Sequence, residues 1–346
     1  MMLETTWFIL WGVLWAVYFA LDGYDLGLGT MLPFLARKGM QGERDRRLIY
    51  NAAGPFWDGN QVWLVTAGGV TFAAFPGAYA ALFSGMYTAL FLLLFSLILR
   101  GVSFEFRRKV NSVAWRQTWD ACHVLGSFLP ALLLGVAFAN IFQGIPLNAH
   151  GINEGGLLDL LNPYGLAGGV LFVLMFSLHG LLWLAVRTQG DLAESSVAMA
   201  KKLWVALLAM LALFLLMSAV YTKLFANYWE NPILFAILLL PVVGLIQVRF
   251  ALNRRASVLA WAGSAVAIIG VTLFGVLGIF PALLPSSIDP AYSMTISNAA
   301  SSPKTLKIML VVALLLVPLV IAYQAWVHVF FGKKITEEDL EHEEAY

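Results

Sequence analysis

The sequence predicts an all-α integral membrane protein that crosses the bilayer many times, and three observations carry that prediction. Of 346 residues, 60% are hydrophobic and only 12% are charged, against roughly 45–50% and about 25% in soluble domains. The apolar residues fall into runs of about 20, the length at which a helix crosses the hydrocarbon core. Lysine and arginine are concentrated in alternate connecting segments, as the positive-inside rule requires.

Nine segments qualify as spans: 7–30, 54–75, 78–99, 122–142, 164–186, 203–222, 232–250, 258–280 and 306–331. The second is the weakest, because Pro55, Trp57, Asp58, Asn60 and Gln61 crowd its start. With the N-terminus outside and the C-terminus cytoplasmic, the inner segments are 31–53, 100–121, 187–202, 249–257 and 332–346. They hold 18 of the 21 Lys and Arg, leaving only Lys223, Lys304 and Lys307 outside. Were 54–75 not to cross, the two most basic loops would face opposite sides. Nine spans is the consistent count, and residues 1–346 read as one polytopic domain.

The first span could be mistaken for a signal peptide. Residues 1–6 carry no Lys or Arg, the apolar run is too long, and two aspartates follow, so it reads as a retained helix. Segments 143–163 and 281–305, rich in Gly, Pro and Ser, read as ordered turns capping helix ends. Residues 337–346, with five Glu and one Asp, read as a solvated terminus.

Composition also excludes several classes. Cys122 is the only cysteine, so no intrachain disulfide or multi-thiolate metal site forms. A net charge of +1, with basic residues partitioned by loop, gives no footprint for nucleic acid. His123, His150, His179, His328 and His342 show no ligand spacing, so no metal site is expected. A lone intramembrane histidine such as His179 reads as a hydrogen-bonded packing residue. Gly23 and Gly27, with Gly29 nearby, read as a face of close helix approach. Gly68 and Gly69 are expected to break the second helix.

Asp22, Asp25 and Asp58 carry the most information. A carboxylate costs free energy in hydrocarbon, so one kept there lines a polar cavity, pairs with a cation or relays protons. The first helix runs inward, which puts Asp22 and Asp25 roughly 20–27 Å from its start at 1.5 Å per residue. Three residues apart, they share a helix face. Asp58 opens the second helix from the same side, Arg100 ends the third, Glu105 follows it, and Asp120 opens the fourth. Six ionisable residues thus converge on one stratum near the cytoplasm.

A static network of Asp22, Asp58 and Arg100 locking three helices together is the simpler reading. The surplus of carboxylates over that one arginine favours hydrated, shareable protonation sites, as in a proton relay. Two rivals stay open. A secondary transporter would also use intramembrane carboxylates, although these residues lie near one surface and no clear inverted repeat is seen. A purely structural scaffold differs only in what the carboxylates do.

The same residues carry a resemblance. LDGYDLGLG (21–29), GPFWDGNQVWLVTAGGVTFAAFP (54–76), LILRGVSFEFR (97–107), LLNPYGLAGG (160–169) and GIFPALLPSS (278–287) resemble subunit II of cytochrome bd, the bacterial quinol oxidase. The resemblance spans nearly the whole chain. It implies two four-helix bundles plus one helix, in the bacterial plasma (inner) membrane. It further implies a haem-free chain with no catalytic residue of its own, paired with a subunit I that holds two haems b and haem d. Those haems oxidise quinol and reduce dioxygen to water.

In that family the protons consumed come from the cytoplasm, and a proton-motive force results. The route it implies here is Asp22, Asp25, Asp58, Arg100, Glu105 and Asp120. Asp58 and Asp25 would be relay carboxylates, Glu105 and Asp120 would collect protons at the mouth, and Arg100 would tune them. Trp57 is expected beside Asp58, limiting its hydration, with Asn60 in support. Small single-span subunits, lipids and, in some members, a structural quinone also associate with such complexes; no contact for that quinone is assigned.

Overall fold

A computed structural model describes residues 2–37 and 39–341, so His342 and the end of the acidic tail lie outside the described residues. Helices run in the order α1 (Met2–Leu35), α2 (Gly39–Ala53), α3 (Trp57–Ala74), α4 (Pro76–Gly85), α5 (Tyr87–Phe106), α6 (Val113–Gln143) and α7 (Pro163–Arg187). They continue with α8 (Asp191–Tyr221), α9 (Leu224–Glu230), α10 (Ala236–Asn253), α11 (Ser257–Ile279), α12 (Pro303–Phe331) and α13 (Glu337–Glu341). Helix is what the bilayer demands, because a lipid-exposed backbone must close its own hydrogen bonds. Among the described residues, α1, α5, α6, α7, α8, α11, α12 and α10 with the turn before it are long and apolar enough to cross a membrane.

Several elements differ from the expectation. Segment 54–75 is helical as α3, but Asp58, Asn60 and Gln61 in its first turns leave it outside that set of eight. The helix expected over 78–99 is two, α4 and α5, meeting at Met86. Helix α5 then runs on to Phe106, so Arg100 sits inside it and not at its end. Helix α6 starts at Val113, where Ser112 accepts a hydrogen bond from the Trp115 N–H, and Asp120 lies within it. Helix α8 likewise starts at Asp191. Much of the expected loop 31–53 is α2, which buries Leu48, Ile49 and Tyr50. The common cause is that hydropathy marks the lipid-facing stretch, while a helix continues through charged turns beyond it. Gly68 and Gly69 do not break α3; they lie in its interior, where an added Cβ would meet nothing within 4 Å.

Packing centres on α1, which contacts α3, α6, α7 and α11. Helix α6 also packs on α5 and α7, α8 on α7, and α10 on α11, with α12 against α1 and α3. Burial grades from 78% of the apolar stretch of α7 to 6% of that of α12, so α12 lies at the periphery. Both long loops are ordered. Asn162 caps α7 through the Gly165 N–H, Ser302 caps α12 through the Thr305 N–H, and Ile145 bridges to Ser286 between the loops.

The glycine face expected on α1 meets α7 backbone to backbone. A Cβ on Gly27 would lie 1.8 Å from the Phe176 carbonyl oxygen, and one on Gly180 would lie 2.5 Å from the Leu28 nitrogen. Backbone cannot swing aside as a side chain can. Gly27→Ala is therefore expected to cost about 1–3 kcal/mol by overpacking, read as a lower melting temperature of the purified protein in detergent. An unchanged melting temperature would show that α1 and α7 do not approach this closely.

Beyond α12 the chain is tied to the end of α7. Arg187 donates to the carbonyls of Phe331 and Lys333, Lys334 Nζ donates to Thr188 O at 3.1 Å, and Ile335 N–H donates to Arg187 O at 2.8 Å.

Candidate functional site

Helices α1 and α5 bring together a fully buried ion pair. Arg100 Nη2 donates to Asp22 Oδ1 at 2.6 Å, and neither side chain has any exposure. Tyr18, one turn earlier on α1, donates to Asp22 Oδ2 at 3.1 Å. Asp22 thus has a cation on one oxygen and a hydroxyl on the other. Its satisfaction is what allows a charge to stay inside. Arg100 is less fully satisfied: Nε and Nη1 are buried without a hydrogen-bond partner among the described residues.

Asp25 lies one turn further along α1, also buried, and among the described residues it has no cation in contact. Its Oδ2 accepts from Asn60 Nδ2 at 2.8 Å, while Oδ1 has no partner among the described residues. Asn60 Nδ2 also lies 2.7 Å from the Tyr24 hydroxyl. Its Oδ1 accepts from Gln324 Nε2 of α12 at 2.9 Å. Asn60, predicted as support, is the bridge that joins α1, α3 and α12 at this carboxylate.

Asp120 belongs to a different cluster. Arg107, just past the end of α5, donates through Nε to Asp120 Oδ1 at 2.6 Å and makes a two-pronged contact with Glu43 of α2, 2.9 Å on each prong. Arg46 approaches Asp120 at 3.2 Å, and the Tyr50 ring lies 5.0 Å from the Arg107 guanidinium. Burial alone would lower the Arg107 pKa, but the hydrogen bonds and charges of Asp120 and Glu43 carry it above the ordinary guanidinium value. Nearby, burial would raise the Asp45 pKa. The Arg37 N–H and guanidinium outweigh it and hold that carboxyl below its usual value.

Asp58 and Glu105 are exposed. Asp58 sits in the first turn of α3, a favourable place for negative charge, and accepts the Gly59 N–H at 2.7 Å. Two residues before Asn60, it lies within about 3 Å of that residue's height along the helix axis. Trp57 stacks flat on Phe104 of α5, ring centroids 5.2 Å apart, and not on Asp58. The six expected residues therefore divide into a buried group of Asp22, Asp25 and Arg100, a peripheral group around Asp120, and two exposed carboxylates. Tyr18, Tyr24, Gln324, His328, Arg107 and Glu43 were missed. Arg107 and Glu43 looked like ordinary loop charges, and Gln324 and His328 were too far along the chain to be linked to Asp25.

His179 is held on both ring nitrogens, by Ala20 O at 2.9 Å and Ser264 Oγ at 2.6 Å, and its ring lies parallel to Trp261. That arrangement fits the packing role and does not fit an axial haem ligand. For a quinone, the apolar crevice lined by Leu171, Met175, Leu207, Leu245 and Val271 encloses a cavity of about 10 Å3. At that size it does not fit a quinone ring.

A multi-pass helical membrane protein that buries an aspartate–arginine pair beside a second, cation-free aspartate is the class these features define. More particularly, the chain belongs to the family described as cytochrome bd terminal oxidase subunit II, whose family model matches residues 3–331. It is 36% identical to cytochrome bd ubiquinol oxidase subunit 2 of Bacillus subtilis over 337 residues, covering 97% of this chain and 98% of that protein. It is 37% identical to cytochrome bd-I ubiquinol oxidase subunit 2 of Escherichia coli over 375 aligned positions, 98% and 97% of the two chains. In fold it is similar to a solved chain of the bd oxidase from Geobacillus thermodenitrificans, with a TM-score of 0.73 at 16% identity over 95% of this chain and 99% of that one. The protein is thus a multi-pass protein of the bacterial inner membrane and a subunit of a quinol oxidase complex. Membership implies haem in that complex as a whole and a partner subunit I.

Proposed function

We propose that this chain is the haem-free partner of a haem-bearing subunit I and delivers cytoplasmic protons for the reduction of dioxygen to water. The observation that carries this reading is Asp25: fully buried, outside the Asp22–Arg100 pair, with one oxygen held and the other open. Buried polar groups require partners. Asp25 Oδ1 and the open Nε and Nη1 of Arg100 suit bridging water, the medium of a relay. Electron transfer and oxygen chemistry are what the haems supply in the partner; this chain's residues hold and pass protons.

The remaining carboxylates take places along that route. Asp120 and Glu105, on helices α6 and α5, gather protons at the inner surface. Asp58 faces outward on α3 beside exposed Val62 and Val65. A carboxylate on an apolar face is costly in lipid, so a protein partner covering that face is favoured. The orientation this requires has the N-terminus outside and α2 on the cytoplasmic side, which agrees with the charge of the loops. The apolar faces left open on α8 and α12 suit lipid and single-span subunits. Family membership removes the transporter alternative. The scaffold reading retains support at one residue, because Asp22 is satisfied on both oxygens and needs no proton to pass.

Asp58→Asn tests the outer part of the route in the assembled complex. Quinol-driven oxygen uptake is expected to fall about threefold or more, toward the effect of losing a positioned proton-transfer group, with haem content unchanged. Asp58→Glu should retain more activity than Asn. A near-wild-type rate in Asp58→Asn would take Asp58 off the route.

A further inference from the structure

The polar chain that reaches Asp25 from α12 has a fixed direction, and two groups that can act in only one way set it. The indole of Trp63 can only donate, and its Nε1 lies 3.3 Å from Gln324 Oε1. That contact turns the Gln324 amide so that Nε2 donates to Asn60 Oδ1 at 2.9 Å. Asn60 is turned in consequence, and Nδ2 faces Asp25 Oδ2 at 2.8 Å, the Tyr24 hydroxyl at 2.7 Å and, at the longer distance of 3.3 Å, the Leu21 carbonyl. At the other end, the backbone carbonyl of Gln324 can only accept, so His328 Nδ1, 2.8 Å away, must donate to it. Neutral His328 then offers Nε2 as an acceptor, and the Tyr24 hydroxyl, 3.1 Å away, donates to it. The Tyr24 oxygen is left to accept from Asn60. Both arms give the same orientation at Asn60.

We propose that Gln324 and His328 on α12 are positioning residues for Asp25: they lock Asn60 so that its N–H, and never its carbonyl, faces the buried carboxylate. An asparagine amide inverted by half a turn would present its carbonyl to Asp25, oxygen against oxygen. The inference deepens the relay reading and rests on it. It gives the peripheral helix α12, only 6% buried along its apolar stretch, a part in the chemistry that its packing does not suggest.

Oxygen uptake by the assembled complex tests it through Gln324→Leu, alone and combined with Asp25→Asn. Gln324→Leu is expected to lower kcat about tenfold, within what a small misplacement of a catalytic group costs, with the KM for quinol and the haem spectrum unchanged. In the Asp25→Asn background the same change should have no further effect, since residues acting through one group are not additive. A full additional loss in that background would overturn the proposal. So would a wild-type rate in Gln324→Leu while Asp25→Asn is slow, and in that case the relay would still stand. A wild-type rate in Asp25→Asn would instead remove the relay itself. Should Gln324→Leu fail to assemble, Trp63→Phe keeps an aromatic side chain in place and removes the N–H that orients Gln324. It is expected to lower kcat in the same way and to lose its effect beside Asp25→Asn, and a wild-type rate there would overturn the proposal.

Discussion

Arg100→Leu is expected to destabilise the chain by about 3–5 kcal/mol, the cost of leaving a buried charge without its partner. Among the described residues Asp22 has no substitute cation: its other oxygen meets the Tyr18 hydroxyl, and the side chain is fully buried. The loss would appear as a sharp drop in the yield and melting temperature of the purified protein. Removing both charges, in Asp22→Leu with Arg100→Leu, should recover most of it, because apolar residues of similar volume often replace a buried pair at little cost. Gly126 of α6 lies against the backbone of Arg100, where an added Cβ would come within 2.7 Å of its nitrogen, and leucine at position 100 leaves that backbone contact unchanged. A single variant as stable as the wild type would mean that Asp22 does not carry the charge the pair requires.

The distinction between pair and relay could not be read from the residues alone. Spacing showed that Asp22 and Asp25 share a helix face, and topology put Arg100 at their level. Which of the two carboxylates takes the arginine depends on how α1 is rotated against α5, and side-chain periodicity does not encode that rotation. The same limit explains Asp120. Its partner Arg107 and the clamp from Glu43 depend on α2 folding back against the C-terminal end of α5 and the N-terminal part of α6. Hydropathy saw α2 only as a basic loop.

The fold was legible where apolar stretches and glycines set it. The Gly23–Gly27 face was expected to allow close approach, and backbone contact between α1 and α7 is what it allows. Gly68 and Gly69 do not break α3, and among the described residues nothing lies within 4 Å of a Cβ added at either. A glycine pair means close packing only when a second helix is there to use the space.

Asp25→Asn separates a proton carrier from a packing group at nearly constant shape. Asparagine is isosteric with aspartate, and its carbonyl oxygen can still accept from Asn60 Nδ2, which now sits 2.8 Å from Asp25 Oδ2. The helix contacts, the Asp22–Arg100 pair and the Asn60–Gln324 link are all retained, so assembly and haem content should not change. What is lost is the ability to take and release a proton at Asp25, which, unlike Asp58, is buried and, unlike Asp22, has no cation in contact among the described residues. Quinol-driven oxygen uptake is expected to fall on the order of 10²-fold, the lower range for removing a positioned proton-transfer group. Asp25→Glu, which restores the proton but misplaces it by one methylene, should recover part of the rate. Uptake near the wild-type rate in Asp25→Asn would leave this chain a scaffold, and the protons would have to reach oxygen by a path that does not use Asp25.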